Sequence, residues 1–316
     1  MKVAVYGGGA VGLGIASCLL QSRVKVDIIT RSNTFSALND WGLNRTGIFG
    51  DVWFDPKSFG LCHRLEKKNY DFIVVCVKSF DSEIVANEIS SILKDSEGHV
   101  RVVHCQNGWG NAEIFAKYFP KRNVFSGRLI TGFRRSSPNT VEITVHAEAI
   151  HLGSLFNEDI HCLYELAKAI NDGGIPCRAV SAIEKDLMAK LLYNCALNPL
   201  GAIFGVPYGV LAKSPKTNKL MFQLVEEVFL ALEGWTTYWS TAEDYMITFY
   251  EKLLPATACH ESSMLQDIRA GKKTEIDAIS GAVVELGLKK GVATPCNAIL
   301  RDMIRFLEEL RHSEMN

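Results

Sequence analysis

Near its beginning the chain reads Val3-Ala4-Val5-Tyr6-Gly7-Gly8-Gly9-Ala10-Val11-Gly12, and this stretch decides the fold of the first half. An apolar run typical of a buried strand leads directly into the spacing GxGxxG and then into an apolar helical stretch. In this arrangement Gly7 permits the tight turn, Gly9 lets the backbone approach a pyrophosphate, and Gly12 allows close packing of helix on strand. Ala10 and Val11 open the helix, whose first N–H groups supply donors and a partial positive charge. The stretch predicts a dinucleotide site; the alternative is a glycine-rich turn without a ligand.

The residue at the end of the second predicted strand bears on which dinucleotide is bound. Folds that bind NAD usually carry an acid about 20 residues after the glycines, which accepts hydrogen bonds from the ribose. At about that distance beyond Gly12 this chain has Arg31, whose planar guanidinium suits a phosphate dianion. Asp27 lies in mid-strand, too early to reach the ribose. We therefore predict NADP(H); in the alternative, Arg31 only solvates the end of a strand.

Composition and charge limit the class of protein. With 316 residues, 47% of them hydrophobic and 22% charged, the chain is typical of a globular protein with two domains. Its 34 Lys and Arg against 35 Asp and Glu provide no overall positive field, so no nucleic-acid partner is expected. The nine cysteines are odd in number and never form CxxC, which predicts reduced thiols and a cytoplasmic location.

Two uncharged segments imitate export or membrane signals. The run from Lys2 to Gln21 resembles a secretory leader, but five glycines interrupt the apolar core that a leader needs. The run 191–212 is long enough to cross a bilayer, yet it contains two asparagines, two prolines and three glycines. We expect the second run to be buried inside protein, and we expect neither export nor a membrane partner.

Residues 1–180 are predicted to form an α/β domain with a Rossmann-type, doubly wound, mostly parallel sheet. Short runs rich in Val and Ile alternate with helical stretches, which is typical of βαβ units. The predicted strands are Lys2–Tyr6, Val24–Thr30, Phe72–Val77, Val100–Cys105 and Ile175–Val180. The alternating segment Val141–Leu152 predicts an antiparallel ribbon at the far edge of the sheet. Lys78 and Asn107 each follow a strand, so both are expected at the sheet edge where ligands bind.

Residues 181–316 are predicted to form an all-helical second domain. Apolar residues recur there at three- and four-residue spacing in Ile183–Leu197, Leu220–Leu232, Ser262–Ala270, Thr274–Leu286 and Asn297–Leu310. In the first of these helices Lys190, Asn194 and Asn198 follow one another at intervals of four, so all three project from one side. A lysine in an apolar helix is unfavourable unless it serves a function. The alternative is that Lys190 reaches solvent and the asparagines bridge helices.

Together these residues resemble the ketopantoate reductases (2-dehydropantoate 2-reductases). The most specific part of the resemblance is the block Ser262-Ser263-Met264-Leu265-Gln266-Asp267-Ile268-Arg269-Ala270-Gly271-Lys272-Lys273-Thr274-Glu275-Ile276-Asp277. The glycine loop with Arg31, the strand-end Lys78, the triplet Gln106-Asn107-Gly108 and the Lys190 helix also match. The resemblance extends from residue 3 to about residue 300.

The resemblance implies NADPH-dependent reduction of 2-dehydropantoate to D-pantoate, a step toward pantothenate and coenzyme A. It implies that Lys190 donates a proton to the ketone oxygen. Ser263 and Asn194 would then hold the substrate with Asn198 nearby, and Glu275 would contact the cofactor ribose and orient the site. No metal is implied.

One position departs from the family pattern. After Asn198 the family often has another asparagine ahead of a glycine, where this chain has Pro207-Tyr208-Gly209. An aromatic ring at Tyr208 would reshape the substrate pocket, so a different branched 2-keto acid is an alternative substrate. A non-catalytic NADP-binding regulator is a further alternative. The sequence leaves open whether the chain forms a homodimer. It also does not indicate a role for the arginine-rich segment Arg128–Arg135.

Overall fold

A computed structural model describes residues 1–93 and 100–314, which divide into two compact units. The first unit comprises Met1–Gln106 and Asn111–Ile183, and the second comprises Asn107–Gly110 and Glu184–Asn316. The loop that carries Asn107 therefore groups with the helical unit, although the sequence places it in the first domain. That the first unit binds cofactor and the second binds substrate stays a prediction.

The first unit is built on one sheet, and its topology confirms the predicted α/β class. Within the described residues the strands are Lys2–Tyr6 (β1), Lys25–Ile29 (β2), Leu43–Gly47 (β3), Val52–Phe54 (β4), Gly60–Cys62 (β5), Phe72–Val75 (β6), Arg101–His104 (β7), Val124–Ser137 (β8), Thr140–Gly153 (β9) and Cys177–Ala179 (β10). They lie in the order β4-β3-β9-β8-β7-β6-β1-β2-β5, with β10 beside β9. Only the pairs β3/β4 and β8/β9 among them are antiparallel.

Helices cover both faces of this sheet. They are Ala10–Gln21 (α1), Ser32–Trp41 (α2), Ser82–Ile92 (α3), Asn111–Ala116 (α4) and Leu163–Asp172 (α5). Val3 and Val5 of β1 belong to the core that contains α1 and α5, whereas Ala4 belongs to the core under α3. This alternation follows from the strand period of two, and it explains why β1 is apolar at every position between its ends.

The β8–β9 ribbon is antiparallel as predicted, but the prediction that it ends the sheet is wrong. β3 pairs with β9 in parallel from Asn44↔Thr140 to Gly47↔Ile143, and β4 lies beyond it. β3 reads Leu-Asn-Arg-Thr-Gly and lacks the apolar alternation that marks a strand. Its buried residues are Leu43 and Arg45, and Arg45, which is 2% exposed, donates to the carbonyl oxygen of Gly173 at 2.7 Å. A charged residue whose burial depends on a distant carbonyl cannot be recognised from local pattern.

The second unit is helical throughout its described residues except for turns. Its helices are Ile183–Phe204 (α6), Tyr208–Leu211 (α7), Pro215–Ala231 (α8), Ala242–Thr248 (α9), Ser263–Arg269 (α10), Ala282–Lys290 (α11) and Pro295–Glu314 (α12), with single wide π-type turns at Phe249–Leu253 and Asp277–Gly281. α6 continues past Pro199, so the predicted end at Leu197 is wrong. Burial of the whole segment from Asn194 to Ala202 keeps the helix intact despite the lost backbone bond. α6 is long and apolar enough to span a membrane by length and composition, but 67% of its most apolar window is buried inside the protein.

Candidate active site

The glycine loop of the first unit is held by close backbone contacts. Gly7 has φ +117°, and a Cβ added there would lie 2.9 Å from the carbonyl carbon of Cys76. A Cβ on Gly12 would lie 1.8 Å from the carbonyl oxygen of Gly7. Both positions therefore require glycine, one for its conformation and one for the close approach of α1 to β1.

The same loop leaves the start of α1 open to a ligand. Gly9 occupies the N-cap position, no side chain caps the helix, and its first turn carries no acid. A Cβ added to Gly9 would meet no protein atom within 4 Å. Uncapped N–H groups, a helix dipole and free space above a glycine fit the pyrophosphate of a dinucleotide. Ala10, Val11 and Gly12 are the residues whose N–H groups would face it.

Arg31 lies at the start of a second helix, in the position where a phosphate on the ribose would be read. It is the N-cap residue of α2, which has no side-chain cap and no acid in its first turn. The Arg31 side chain is 93% exposed, and its Nη2 lies 3.3 Å from Oδ2 of Asp81. Asp81 was not predicted as a partner of Arg31, because 50 residues separate the two. A phosphate bound by Arg31 would share the guanidinium with this carboxylate.

Asp27 is committed to other partners. Its carboxylate accepts from the Tyr70 hydroxyl at 2.8 Å and from Lys68 Nζ at 3.2 Å, and Lys2 Nζ lies 3.4 Å away. Burial alone would raise the pKa of Asp27, but the Tyr70 and Lys68 hydrogen bonds and the charge of Lys2 lower it overall. Asp27 is therefore engaged in a charge cluster with Lys2, Lys68 and Tyr70, and its predicted mid-strand position is confirmed.

Polar groups tie the loops after β6 and β7 together. The carbonyl oxygen of Lys78 accepts from Nε2 of Gln106 at 3.4 Å, and the same Nε2 donates to Oγ of Ser82 at 2.7 Å. Ser82 in turn donates to Oδ1 of Asn111 at 2.9 Å. Lys78 itself is half-buried and precedes a 3₁₀ turn at Ser79–Asp81. Gln106 enters the sequence pattern only as part of a motif, and this network was not predicted because its bonded partners lie 24 to 29 residues apart.

The second unit brings Asn107 and Glu275 together. Nδ2 of Asn107 donates to Oε2 of Glu275 at 2.8 Å, and Glu275 is 6% exposed. The backbone N–H of Trp109 donates to the carbonyl oxygen of Ala278 at 2.8 Å, which holds the loop on this segment. Both predicted cofactor residues therefore form one pair, although 168 positions separate them.

The three polar residues of α6 lie on one continuous helix, as the spacing predicted. Asn194 and Asn198 are buried, and Lys190 is half-buried one turn earlier. Since i, i+4 and i+8 positions of a helix share a face, the lysine and both amides point to one side of α6. An ammonium beside two carboxamides can bind an anion and can protonate an oxygen.

Two segments from elsewhere in the chain contact Asn198. Oγ of Ser262 donates to the Asn198 carbonyl oxygen at 3.4 Å and accepts from the Leu265 N–H at 3.0 Å, so it caps α10 and tethers it to α6. The tether comes from Ser262, whereas the predicted substrate residue Ser263 is the half-buried first residue of α10. The Tyr208 hydroxyl donates to Oδ1 of Asn198 at 2.6 Å.

Two arginines of the arginine-rich segment pair within their own sheet. Arg128 Nη2 lies 2.9 Å from Oε2 of Glu148 and 2.7 Å from Nδ1 of His151. Arg134 donates from Nη2 to Oε2 of Glu142 at 2.6 Å. Every residue in these pairs belongs to β8 or β9, so Arg128 and Arg134 stabilise the ribbon. Arg135 instead donates from Nη2 to the Thr34 hydroxyl and links the ribbon to α2.

Comparisons with known families cover both units. A family model described as "Ketopantoate reductase PanE/ApbA" matches residues 3–157. A second model, described as "Ketopantoate reductase PanE/ApbA C terminal", matches residues 182–308.

Individual relatives align over nearly the whole length. The 2-dehydropantoate 2-reductase of Aquifex aeolicus is 34% identical over 313 residues, covering 98% of this chain and 97% of that protein. The enzyme of the same name from Halobacterium salinarum is 27% identical over 309 residues, covering 98% and 99%.

Solved structures share the fold. A crystal structure of a PanE/ApbA family ketopantoate reductase from Ralstonia eutropha matches with a TM-score of 0.85 at 25% identity, covering 98% of this chain and 99% of that one. D-mandelate dehydrogenase, solved in a ternary structure with NADH and anilino(oxo)acetate, matches with a TM-score of 0.86 at 23% identity over 98% and 99% of the two chains. The second likeness shows the fold alone.

Proposed function

Because this chain belongs to the ketopantoate reductase family, we propose that it reduces the 2-keto group of 2-dehydropantoate to D-pantoate with NADPH. The two family models and the Aquifex aeolicus relative confirm the family resemblance that was inferred from the sequence. The observation that carries the proposal is the row Lys190, Asn194 and Asn198 on one face of α6, with Ser262 tethered to it. That row combines a proton donor with groups that bind a carboxylate.

Lys190 acts on the oxygen of the keto group. A bound reduced nicotinamide supplies hydride to carbonyl carbons. Negative charge then develops on the oxygen, and the Lys190 ammonium stabilises it and delivers the proton. Asn194 and Ser263 hold the acid so that its keto oxygen meets Lys190, with Asn198 beside them. Glu275, paired with Asn107, orients the cofactor ribose.

NADPH is proposed over NADH on the basis of three observations. Arg31 stands exposed at the uncapped start of α2, no acid of that first turn opposes a phosphate, and Asp27 is engaged by lysines and a tyrosine. Among the described residues, the end of β2 therefore carries no acidic side chain that would bind the ribose and repel a 2′-phosphate. Lys78 adds a second positive charge at the same edge of the sheet.

The proposal also includes a cytoplasmic location, a small 2-keto acid as the partner, and neither nucleic acid nor membrane. A balanced charge and the burial of most of α6 support it. A homodimer stays open.

The test is an NADPH-oxidation assay with ketopantoate beside ketoisovalerate and related 2-keto acids, repeated with NADH. We expect ketopantoate with NADPH to give the highest kcat/KM. Preference for another branched acid supports the second candidate, which the buried Tyr208 ring beside Asn198 favours. Absence of turnover with every acid, together with tight NADPH binding, would indicate a regulator.

A further inference from the structure

Tyr208 is fixed in the second unit from several directions. It opens α7, its side chain is 3% exposed, and its N–H donates to the carbonyl oxygen of His260 at 3.1 Å. Its ring packs edge to face against Tyr193 at 5.8 Å and against His260 at 5.5 Å between centroids. A ring held by backbone and by two other rings has one position for its hydroxyl.

That hydroxyl determines which end of the Asn198 carboxamide faces inward. It donates to Oδ1 of Asn198 at 2.6 Å, and Ser262 anchors the Asn198 main chain through the carbonyl oxygen at 3.4 Å. Burial raises the pKa of Tyr208 well above its usual value, so the phenol stays a donor at every assay pH. In the structure this donor faces the carbonyl end of the amide, which leaves Nδ2 on the opposite side.

The opposite end of the amide is available to a ligand. Within residues 1–93 and 100–314, Nδ2 of Asn198 has no hydrogen-bond partner. The atom is also not completely shielded from solvent. Asn198 as a whole is only 3% exposed. A buried residue normally satisfies its polar atoms, so two N–H donors that open onto solvent mark a group that faces a ligand.

We propose that Tyr208 is a positioning residue that holds Asn198 so that both Nδ2 hydrogens face an acceptor oxygen of the 2-keto acid. This inference rests on the proposed function and deepens it, because it assigns a residue outside the Lys190 row to substrate orientation. Without the hydroxyl, the amide can rotate by half a turn and present Oδ1 to the substrate. An amide oxygen that faces a carboxylate oxygen weakens binding, since neither side then donates.

The kinetic experiment compares Tyr208→Phe with Tyr193→Phe. Tyr193 belongs to the same ring cluster, but its hydroxyl bonds to Thr257 and not to an asparagine. We expect Tyr208→Phe to raise KM for the acid about tenfold, to leave kcat within about threefold, and to leave the NADPH Kd unchanged. Tyr193→Phe should leave KM unchanged. The assay uses whichever 2-keto acid the wild-type enzyme prefers, so a different substrate does not affect the comparison.

A second measurement does not depend on turnover. The side-chain amide protons of Asn198, assigned in 15N-labelled enzyme by their loss in Asn198→Asp, should give one sharp pair in wild type and in Tyr193→Phe. In Tyr208→Phe the pair should broaden, because the amide exchanges between two orientations. Equal amide spectra in all three proteins, or equal KM changes in both phenylalanine variants, would overturn the proposal even if ketopantoate is confirmed as the substrate. Broadening in an enzyme that reduces no 2-keto acid would leave the positioning role in place and reject the proposed function alone.

Discussion

The glycine loop and the α6 row are built on opposite principles. In the proposed cofactor site the binding atoms are backbone N–H groups, and Gly7, Gly9 and Gly12 serve it by having no side chain. In the proposed substrate site on α6 the binding atoms lie at the ends of side chains. There Asn198 is bonded through its side chain to Tyr208 and through its main chain to Ser262, 64 positions away. A backbone site thus fails when an atom is added, whereas a side-chain site fails when a supporting atom is removed.

The largest expected effect is the contrast between alanine substitutions at two glycines of the same loop. Gly12→Ala places a Cβ 1.8 Å from the Gly7 carbonyl, so we expect the free energy of unfolding to fall by at least ~2 kcal/mol and NADPH binding to be lost. Gly9→Ala adds its Cβ to open space, so the melting temperature should not change while the NADPH Kd rises at least tenfold. Thermal denaturation and fluorescence titration with NADPH measure both. Equal destabilisation by both variants would contradict the assignment of Gly9 to the ligand.

Lys190→Ala tests the side-chain site in isolation. Since Lys190 acts mainly on charge that develops in the transition state, kcat should fall by about 10² or more with little change in the NADPH Kd. Lys219→Ala, which removes an exposed lysine of α8, is the control for lost charge and should leave kcat unchanged. A rise in KM alone would reassign Lys190 to substrate binding.

Arg31→Ala tests whether the Arg31 side chain distinguishes NADPH from NADH in the proposed site at the glycine loop. We expect the NADPH Kd to rise about 10- to 100-fold and the NADH Kd to change less than about twofold, because only NADPH carries the 2′-phosphate. The exposed Arg122, replaced by alanine, controls for lost positive charge in the same unit. Equal losses for both dinucleotides would show that Arg31 does not discriminate between them.

The smallest effect concerns the carboxylate beside Arg31. Asp81 lies 3.3 Å from the guanidinium, so Asp81→Asn should tighten NADPH binding about two- to fivefold at low salt and leave NADH binding unchanged. Glu83→Gln removes the same charge from α3, where the acid pairs with Lys117 instead, and should have no effect. Weaker NADPH binding in Asp81→Asn would mean that Asp81 orients Arg31 and does not compete with the phosphate.

The elements that were predicted correctly from the sequence are those that depend on a short sequence pattern. β1 and the glycine loop follow from strand burial and from the GxGxxG spacing, and the α6 row follows from helical periodicity. β3 was missed because Arg45 is buried by a carbonyl of Gly173, 128 positions away. α6 was predicted too short because Pro199 is locally unfavourable in a helix, and only burial on all sides outweighs that preference.

By itself, the sequence determined the two-part organisation, the dinucleotide loop, the family and the set of candidate residues, because glycine stereochemistry and helical spacing act over one or two turns of chain. Only the tertiary structure decided that Asp81 pairs with Arg31, that Asn107 bonds to Glu275, and that the Tyr208 hydroxyl bonds to Oδ1 of Asn198. The physical reason is that a hydrogen bond requires two atoms within about 3 Å, and chain segments that are distant in sequence reach that separation only when the fold is complete.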